Sequence, residues 1–299
     1  MGDLQQQAEM LANRVRKNFR KLRPRFEQRN FGAFRIYDRD IPEIRAAIDW
    51  YEGHLVVAEY AREQTASVPW LETMARAAAG ALEVPPERVH MRRRRSGEGY
   101  QRLAHTGQRV EVREGDLKFL VNLDDYLDTG LFADHRQTRA RVRAEARGKS
   151  FLNLFAYTGS FTCAAVKGGA LSATSVDASQ TYLDWARDNL LLNQVPSGEL
   201  VRSEVGEFLA RAGSRRWDLC VLDPPSFSDR GGKIFDVQRD HRELIEKTLA
   251  VLSPGGVLWF STNHQRFAPE LEGLRFTEED TVPEDYRNRA VHRAFRIIR

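Results

Sequence analysis

Apolar positions in this 299-residue chain follow two different periods, which alternate from residue 151 onward. Short, nearly continuous apolar runs are separated by stretches in which apolar residues recur every three or four positions, as in buried parallel strands joined by helices. This pattern predicts helices at 161–167 and 180–192 and strands at 151–155, 173–176, 200–204, 217–222, 257–260 and 294–298. The expected fold class is therefore α/β, with a Rossmann-like, mostly parallel sheet covered by helices.

The first 122 residues have a different pattern. Residues 1–30 predict one basic helix that breaks near Pro24, because proline cannot donate a backbone hydrogen bond within a helix. Residues 31–122 combine one long helix, 69–82, with strands at 34–37, 54–60, 88–92, 108–113 and 117–122. We predict three parts: a basic helix (1–30), a smaller α+β accessory module (31–122) and the α/β domain (123–299).

Composition places this chain among globular proteins. Hydrophobic residues make up 41% of it, which supports sizeable cores. No apolar segment is long enough to span a membrane, and the amino terminus lacks the apolar core of a secretory signal, so we expect a cytoplasmic location. The two cysteines, Cys163 and Cys220, fall within apolar elements. We expect them to be buried, and we predict no metal site.

Basic residues gather in two clusters, although the formal net charge is only +4. Arginine forks match phosphate oxygens in two-point contacts, so such clusters favour a nucleic-acid partner. A solvated helix face is the alternative, and aromatic residues between the basic ones argue against it. The candidate contacts are Arg14, Arg16, Lys17, Arg20 and Lys21 in the first cluster and Arg92, Arg93, Arg94 and Arg95 in the second.

Turn and acidic residues stand where the predicted strands of the α/β domain end. Gly159 follows the first strand, Asp177 comes eighteen residues later at the end of the second, and Glu204 ends the third. Ligands bind beyond the carboxyl ends of parallel strands, and an acid at that distance can accept both hydroxyls of a ribose. Because Gly159 stands alone in its turn, the glycine pattern needed for a pyrophosphate is missing. A nucleoside cofactor without phosphate, S-adenosylmethionine, is therefore expected, with Glu204 near the adenine amine.

Several segments together resemble a known family. Residues 151–160, 176–190, 223–228 and 235–241 are similar to the class I methyltransferase domain of the bacterial rRNA large-subunit methyltransferase K family, which is commonly the carboxyl-terminal half of a bifunctional K/L protein. The likeness extends to 12–18, 35–42, 128–136 and 287–292 and so covers nearly the whole chain. It implies a seven-stranded class I methyltransferase fold and methyl transfer from S-adenosylmethionine to guanine N7 of 23S rRNA or of a large-subunit precursor.

The resemblance and the turn pattern together suggest site residues. Arg136 would meet the methionine carboxylate of the cofactor in a two-point contact. Asp223 and the carbonyls of Pro224 and Pro225 would hold the guanine edge. Phe227 would stack on the base, and Asn263 would touch the base or its phosphate. The expected cofactor-binding residues are Arg136, Phe155, Tyr157, Thr158, Gly159, Ser160, Asp177, Ala178, Ser179, Glu204, Val205 and Asp223.

The implied chemistry needs no general base, because guanine N7 is a lone pair that attacks the methyl group directly. The site must supply proximity and alignment, which contribute roughly 7 to 11 kcal/mol in well-oriented systems. His135, alone in a polar loop, is more often a hydrogen-bonded surface residue than a ligand in such a setting. Since side chains cannot read the deep major groove of A-form RNA, the target guanosine must be unpaired or extruded.

Other functions stay open from the sequence. Methylation of cytosine C5 requires a thiolate, and no cysteine follows the predicted strand at 257–260. Methylation of an exocyclic amine usually involves an aromatic residue directly after the second proline, where this chain has Ser226. A noncatalytic RNA-binding assembly factor and a redox Rossmann enzyme are further alternatives. In two-domain proteins a second methyltransferase precedes this region, and three alternatives stay open for this chain: it works alone, it joins a separate partner that replaces that methyltransferase, or it is an excised half of a longer protein.

Overall fold

The computed structural model describes residues 4–65, 68–94, 102–196, 198–230 and 233–299. Two compact units divide the chain. Unit 1 comprises Met1–Ala133 and Glu284–Asn288, and unit 2 comprises Asp134–Pro283 and Arg289–Arg299. The sequence pattern predicted a domain boundary after residue 122, whereas the main segment of unit 1 ends at Ala133. Within the described ranges, no helix has both the length and the apolar character needed to cross a membrane.

Unit 1 combines two helices with a four-stranded sheet and a separate hairpin. Its elements are α1 (Leu4–Gln28), β1 (Ala33–Asp38), β2 (Ala46–Tyr51), β3 (His54–Tyr60), α2 (Trp70–Leu82), β4 (Val89–Arg94), β5 (Val110–Glu114) and β6 (Leu117–Val121). The sheet order is β1-β2-β3-β4, in which only β3 and β4 run parallel. The prediction omitted β2, because its first three residues are all buried and its sequence does not alternate.

Helix α1 is part of the core of unit 1. Leu11, Val15 and Phe26 are fully buried along one face, at the spacing of an amphipathic helix. The predicted break near Pro24 is wrong, because α1 continues through this residue to Gln28. Phe26 explains the difference: its ring lies 4.7 Å from that of Phe34, and this packing holds the last turn although proline donates no hydrogen bond.

Unit 2 has the predicted α/β architecture, with a mostly parallel seven-stranded sheet and helices between its strands. Its helices are α3 (Arg136–Glu145), α4 (Ser160–Lys167), α5 (Gln180–Leu192), α6 (Val205–Arg211) and α7 (Val237–Ala250). Its strands are β7 (Ser150–Leu154), β8 (Ser172–Asp177), β9 (Glu199–Arg202), β10 (Trp217–Leu222), β11 (Phe227–Arg230), β12 (Lys233–Asp236), β13 (Leu252–Thr262), β14 (Arg275–Glu279) and β15 (Arg293–Ile298).

The sheet of unit 2 has the order β14-β15-β13-β10-β7-β8-β9. Strands β13 to β9 in this order are parallel, and β15 is antiparallel to both of its neighbours. The chain moves outward from β7 to β9 and then returns to the other side of β7 with β10. This reversal creates a crevice beyond the carboxyl ends of β7 and β10, where such sheets bind ligands.

Two features of unit 2 were missing from the sequence prediction. Strand β14 is almost entirely exposed and largely charged, so it has no apolar period that could reveal it. The strands β11 and β12 form a short antiparallel hairpin directly after the two prolines, with Phe227 opposite Asp236. Both features lie outside the parallel strands. The strand prediction rested on the apolar runs of those parallel strands.

Candidate functional site

The turn between β7 and α4 has an unusual backbone. Phe155 and Tyr157 have positive φ values of 58° and 49°, and Gly159 has a φ of 75°. Positive φ in non-glycine residues costs free energy and is concentrated at functional sites. A side chain at 159 would also meet α5, because its Cβ would lie 2.8 Å from the Cβ of Ala186. Glycine at 159 therefore permits both the turn and the close approach of α5.

Asp177 ends β8 with its carboxylate fixed by the main chain. The backbone N–H of Tyr157 donates to Oδ2 at 3.0 Å, and that of Ser179 donates to Oδ1 at 2.8 Å. Each carboxylate oxygen can accept more than one hydrogen bond. Asp177 is nine-tenths buried, yet its position at a strand end by the β7–α4 turn suits two ribose hydroxyls. A nucleoside cofactor thus fits the chemistry of this carboxylate.

The other predicted cofactor residues lie along the same edge of the sheet. The carbonyl of Thr158 accepts a hydrogen bond from the buried Asn189 on α5. The backbone N–H of Ser203 donates to the Asp177 carbonyl, which holds the segment containing Glu204 beside β8. The predicted strand was two residues too long, because β9 ends at Arg202 and Glu204 is an exposed residue before α6. The remaining positions are Phe155, Ser160 at the start of α4, Ala178, the α5 cap Ser179, Val205 at the start of α6 and the buried Arg136 at the start of α3.

The segment after β10 is joined to the end of β13 by two side-chain hydrogen bonds. Ser261 Oγ donates to Asp223 Oδ1 at 2.6 Å, and Ser226 Oγ donates to Asn263 Oδ1 at 2.6 Å. Pro224 and Pro225 lie between the two linked positions in sequence. We call residues 223–226 and 261–263 the proline corner. The structure therefore brings the predicted residues Asp223 and Asn263 to one site.

Phe227 begins the β11–β12 hairpin next to the proline corner, and its side chain is 60% exposed. This exposure leaves its ring accessible, as stacking on a base would require. On the neighbouring strand, the ring of Phe235 lies 6.3 Å from that of Phe155. The hairpin is thus packed against the β7–α4 turn through Phe235, while Phe227 faces solvent.

His135 lies in a buried polar cluster that the sequence did not reveal. Its Nε2 is 3.9 Å from Asp223 Oδ2, and its ring stacks on His292 with centroids 4.1 Å apart. His292 in turn bonds Asp134 at 3.0 Å and Thr281 at 2.9 Å. The expectation of a surface histidine is wrong, because His135 is only 4% exposed. The partner His292 lies too far along the chain for a local pattern to indicate it.

Burial lowers the pKa of His135 to about 4, and the nearby His292 ring lowers it as well, whereas the carboxylates of Asp223 and Asp134 oppose the change. His135 is therefore neutral at pH 7. Ligand atoms of Asp134, His135 and His292 lie within 4.8 Å of one another, a spacing that could suit a metal ion. Both ring nitrogens of His292, however, are already engaged by Asp134 and Thr281, so hydrogen bonding accounts for this cluster.

The first basic cluster lies on α1. Lys17, Arg20 and Lys21 are exposed on this helix. Arg14 is 3.8 Å from the Asp40 carboxylate, and Arg16 donates to Asn13 at 3.2 Å. These exposed side chains leave the helix able to contact a polyanion.

The second basic cluster does not form the expected exposed patch. Arg92 is only 3% exposed and donates to the carbonyls of Leu127 and Asn122. Successive residues of a strand face opposite sides, so neighbouring arginines on β4 cannot all face solvent. Arg93 pairs with Glu59, Arg94 pairs with Asp128, and Arg95 lies outside the described residues. The prediction is thus contradicted for Arg92.

Comparison with known proteins places this chain in a family. A family model described as S-adenosylmethionine-dependent methyltransferase matches residues 32–291. The chain belongs to this methyltransferase family. Its cofactor is S-adenosylmethionine, as predicted, and the main-chain-bound carboxylate of Asp177 suits the ribose of that molecule.

The methyltransferase is similar over nearly its whole length to curated proteins that are longer. It is 45% identical to "Ribosomal RNA large subunit methyltransferase K/L" of Allochromatium vinosum, over 97% of this chain and 42% of the relative. The protein of the same name from Pseudomonas entomophila is 44% identical, over 98% of this chain and 42% of the relative. The chain thus spans about two fifths of the length of these relatives.

A solved structure has the same fold. The crystal structure of SMU.776, described as a methyltransferase complexed with SAH, matches with a TM-score of 0.78 and 23% identity. The match covers 96% of this chain and 82% of the other. At this identity the likeness supports the fold.

Proposed function

We propose that this methyltransferase transfers a methyl group to N7 of a guanosine in 23S rRNA or a large-subunit precursor. The observation that carries the RNA assignment is the 45% identity, over 97% of the chain, to a protein named for ribosomal RNA large-subunit methylation. The choice of guanine N7 comes from the resemblance of residues 223–228 and the other matching segments to the methyltransferase K family. The geometry of the corner is compatible with this chemistry.

The residues of the site would act by binding and orientation. S-adenosylmethionine, when bound, supplies an electrophilic methyl group on a sulfonium. Asp177 would hold the ribose, and Asp223, oriented by Ser261, would hold one edge of the base. Phe227 would stack on the base from the hairpin. Since N7 carries no proton, these residues need only align the two reactants, an effect worth roughly 7 to 11 kcal/mol in well-oriented systems.

The thiols of this chain argue against methylation of cytosine C5. That reaction needs a thiolate nucleophile. Both cysteines are fully buried. Burial raises the pKa of Cys163 to about 12 and raises that of Cys220 well above its usual range. Both therefore remain protonated thiols at pH 7, which disfavours the C5 alternative.

The exposed basic face of α1 would bind RNA outside the reaction site. Replacing Lys17, Arg20 and Lys21 by glutamine should flatten the dependence of log affinity on log salt by roughly 0.7 to 0.9 for each phosphate contact that is lost. Filter binding of a 23S rRNA fragment at several salt concentrations measures this slope. A matched control replaces the exposed Lys167, Arg211 and Arg275 of unit 2. Equal slopes for the two variants would contradict an RNA contact by α1.

A nucleoside analysis tests the reaction itself. Purified 23S rRNA from cells that lack this chain is incubated with the chain and isotope-labelled S-adenosylmethionine, digested and examined by mass spectrometry. We expect labelled 7-methylguanosine, and strand cleavage at the methylated guanosine with borohydride and aniline then maps its position. A labelled base of another kind would overturn the N7 assignment. Absence of label in RNA, with cofactor binding intact, would exclude free 23S rRNA as the substrate. The same assay on large-subunit precursor particles then tests the other substrate, and absence of label there would overturn the proposed reaction.

A further inference from the structure

The proline corner contains one amide whose orientation is set by a neighbouring hydroxyl. Ser226 Oγ donates to Asn263 Oδ1 at 2.6 Å. The backbone carbonyl of Asn263 accepts a hydrogen bond from Gln265 Nε2 at 3.1 Å, which helps to hold the residue in place. Because Oδ1 of Asn263 is engaged by Ser226, the amide presents its Nδ2 group, with two N–H donors, on the other side.

The acidic side chain of the same corner, Asp223, is a hydrogen-bond acceptor. Asp223 contributes carboxylate oxygens, one of which accepts the hydrogen bond from Ser261. Gln265 also carries an amide, but its Nε2 donates to the carbonyls of Asn263 and Ala290. Asn263 is exposed, so solvent has access to its side chain at the corner.

Guanine and adenine differ next to the atom that would be methylated. Guanine has two adjacent acceptors, N7 and O6, whereas adenine has the acceptor N7 beside the donor N6. A carboxylate such as Asp223 would repel O6, while an amide N–H would bind it. We propose that Asn263, oriented by Ser226, selects guanine by donating a hydrogen bond from Nδ2 to O6. This inference rests on the proposed guanine-N7 reaction and names the residue that gives it base specificity.

The test combines changes in the enzyme with changes in one base of the RNA. The substrate is a 23S rRNA fragment that the wild-type chain methylates, assembled with guanosine, inosine or 2-aminopurine at the target position. Inosine keeps O6 and lacks the exocyclic amine, whereas 2-aminopurine keeps that amine and lacks O6. The variants are Asn263→Ala and Asn263→Asp. The second keeps an acceptor for Ser226 but replaces the donor by a charge that repels O6. An exposed amide elsewhere in unit 2, Gln194→Glu, is the control for added charge.

With guanosine or inosine, Asn263→Ala should lower kcat/KM about tenfold, and Asn263→Asp should lower it further. With 2-aminopurine, both variants should equal the wild type, because no O6 is present to bind. The Asn263 variants should bind the cofactor with wild-type affinity. Gln194→Glu should have the wild-type kcat/KM on all three substrates. Equal losses on guanosine and 2-aminopurine would overturn the role of Asn263. If the wild type forms no 7-methylguanosine, the proposed reaction itself fails, which is a separate result.

Discussion

Asp177 and Asp223 both stand at the carboxyl ends of parallel strands, but they are held in different ways. Asp177 accepts hydrogen bonds from the main-chain N–H groups of Tyr157 and Ser179. Asp223 accepts one from the side chain of Ser261. Main-chain donors persist under most substitutions, whereas a hydroxyl is lost with a single change. The comparison indicates that the main chain fixes Asp177, the proposed ribose acceptor, whereas side chains orient Asp223, where the methylated base would bind.

The largest expected effect concerns pH, because Asp223 lies 3.9 Å from the buried His135. The folded-state pKa of His135 is about 4, below its ordinary value of 6.5, so the unfolded chain binds this proton first. The neutral His135 should therefore contribute its full stabilisation above about pH 6.5. As the pH falls from there to about 4, the free energy of unfolding of the protein should decrease by about 3 kcal/mol. Urea unfolding at several pH values measures how steeply the free energy of unfolding depends on pH.

In the variant His135→Gln, the free energy of unfolding should depend less steeply on pH between pH 4 and 6.5 than in the wild type. Replacement of the exposed His105 by glutamine is the control for the loss of a histidine elsewhere in the chain. If His135→Gln and the wild type had the same slope, the neutral buried state of His135 would be refuted.

A second effect concerns Asp177, the proposed ribose acceptor. Asp177→Ala should raise the Kd for S-adenosylmethionine by about one to two powers of ten, because two hydrogen bonds to a charged acceptor are lost. Titration calorimetry measures the Kd directly. Asp184→Ala, which removes an exposed carboxylate of α5, should leave it unchanged. If Asp177→Ala bound the cofactor normally, this carboxylate could not be the ribose acceptor.

The smallest effect tests the side-chain support of Asp223. Ser261→Ala removes one hydrogen bond, worth about 1 kcal/mol, and should slow methyl transfer roughly fivefold without altering the cofactor Kd. Ser172→Ala, at the opposite end of the sheet in β8, is the control for loss of a serine. An equal change in cofactor affinity and transfer rate would abolish the distinction between the two carboxylates.

The sequence predicted features that depend on local patterns. Apolar runs located β7, β8 and β10, so the amino-acid pattern alone was enough to place Asp177 and Asp223 at strand ends. The resemblance and the single Gly159 identified the cofactor. Features that depend on distant partners were missed: His135 is buried against His292, and Arg92 is buried against carbonyls some thirty residues away. Local composition cannot indicate such burial, because it arises only when remote segments pack together.

The glycine at position 159 limits which residues evolution or design can place there. A methyl group there would push against Ala186 in the middle of α5. The cap of that helix, Ser179, is bonded through its N–H to Asp177. A larger residue at 159 would thus displace α5 together with its cap and shift Asp177, the proposed ribose acceptor, so cofactor affinity would fall although the new atoms never touch the cofactor.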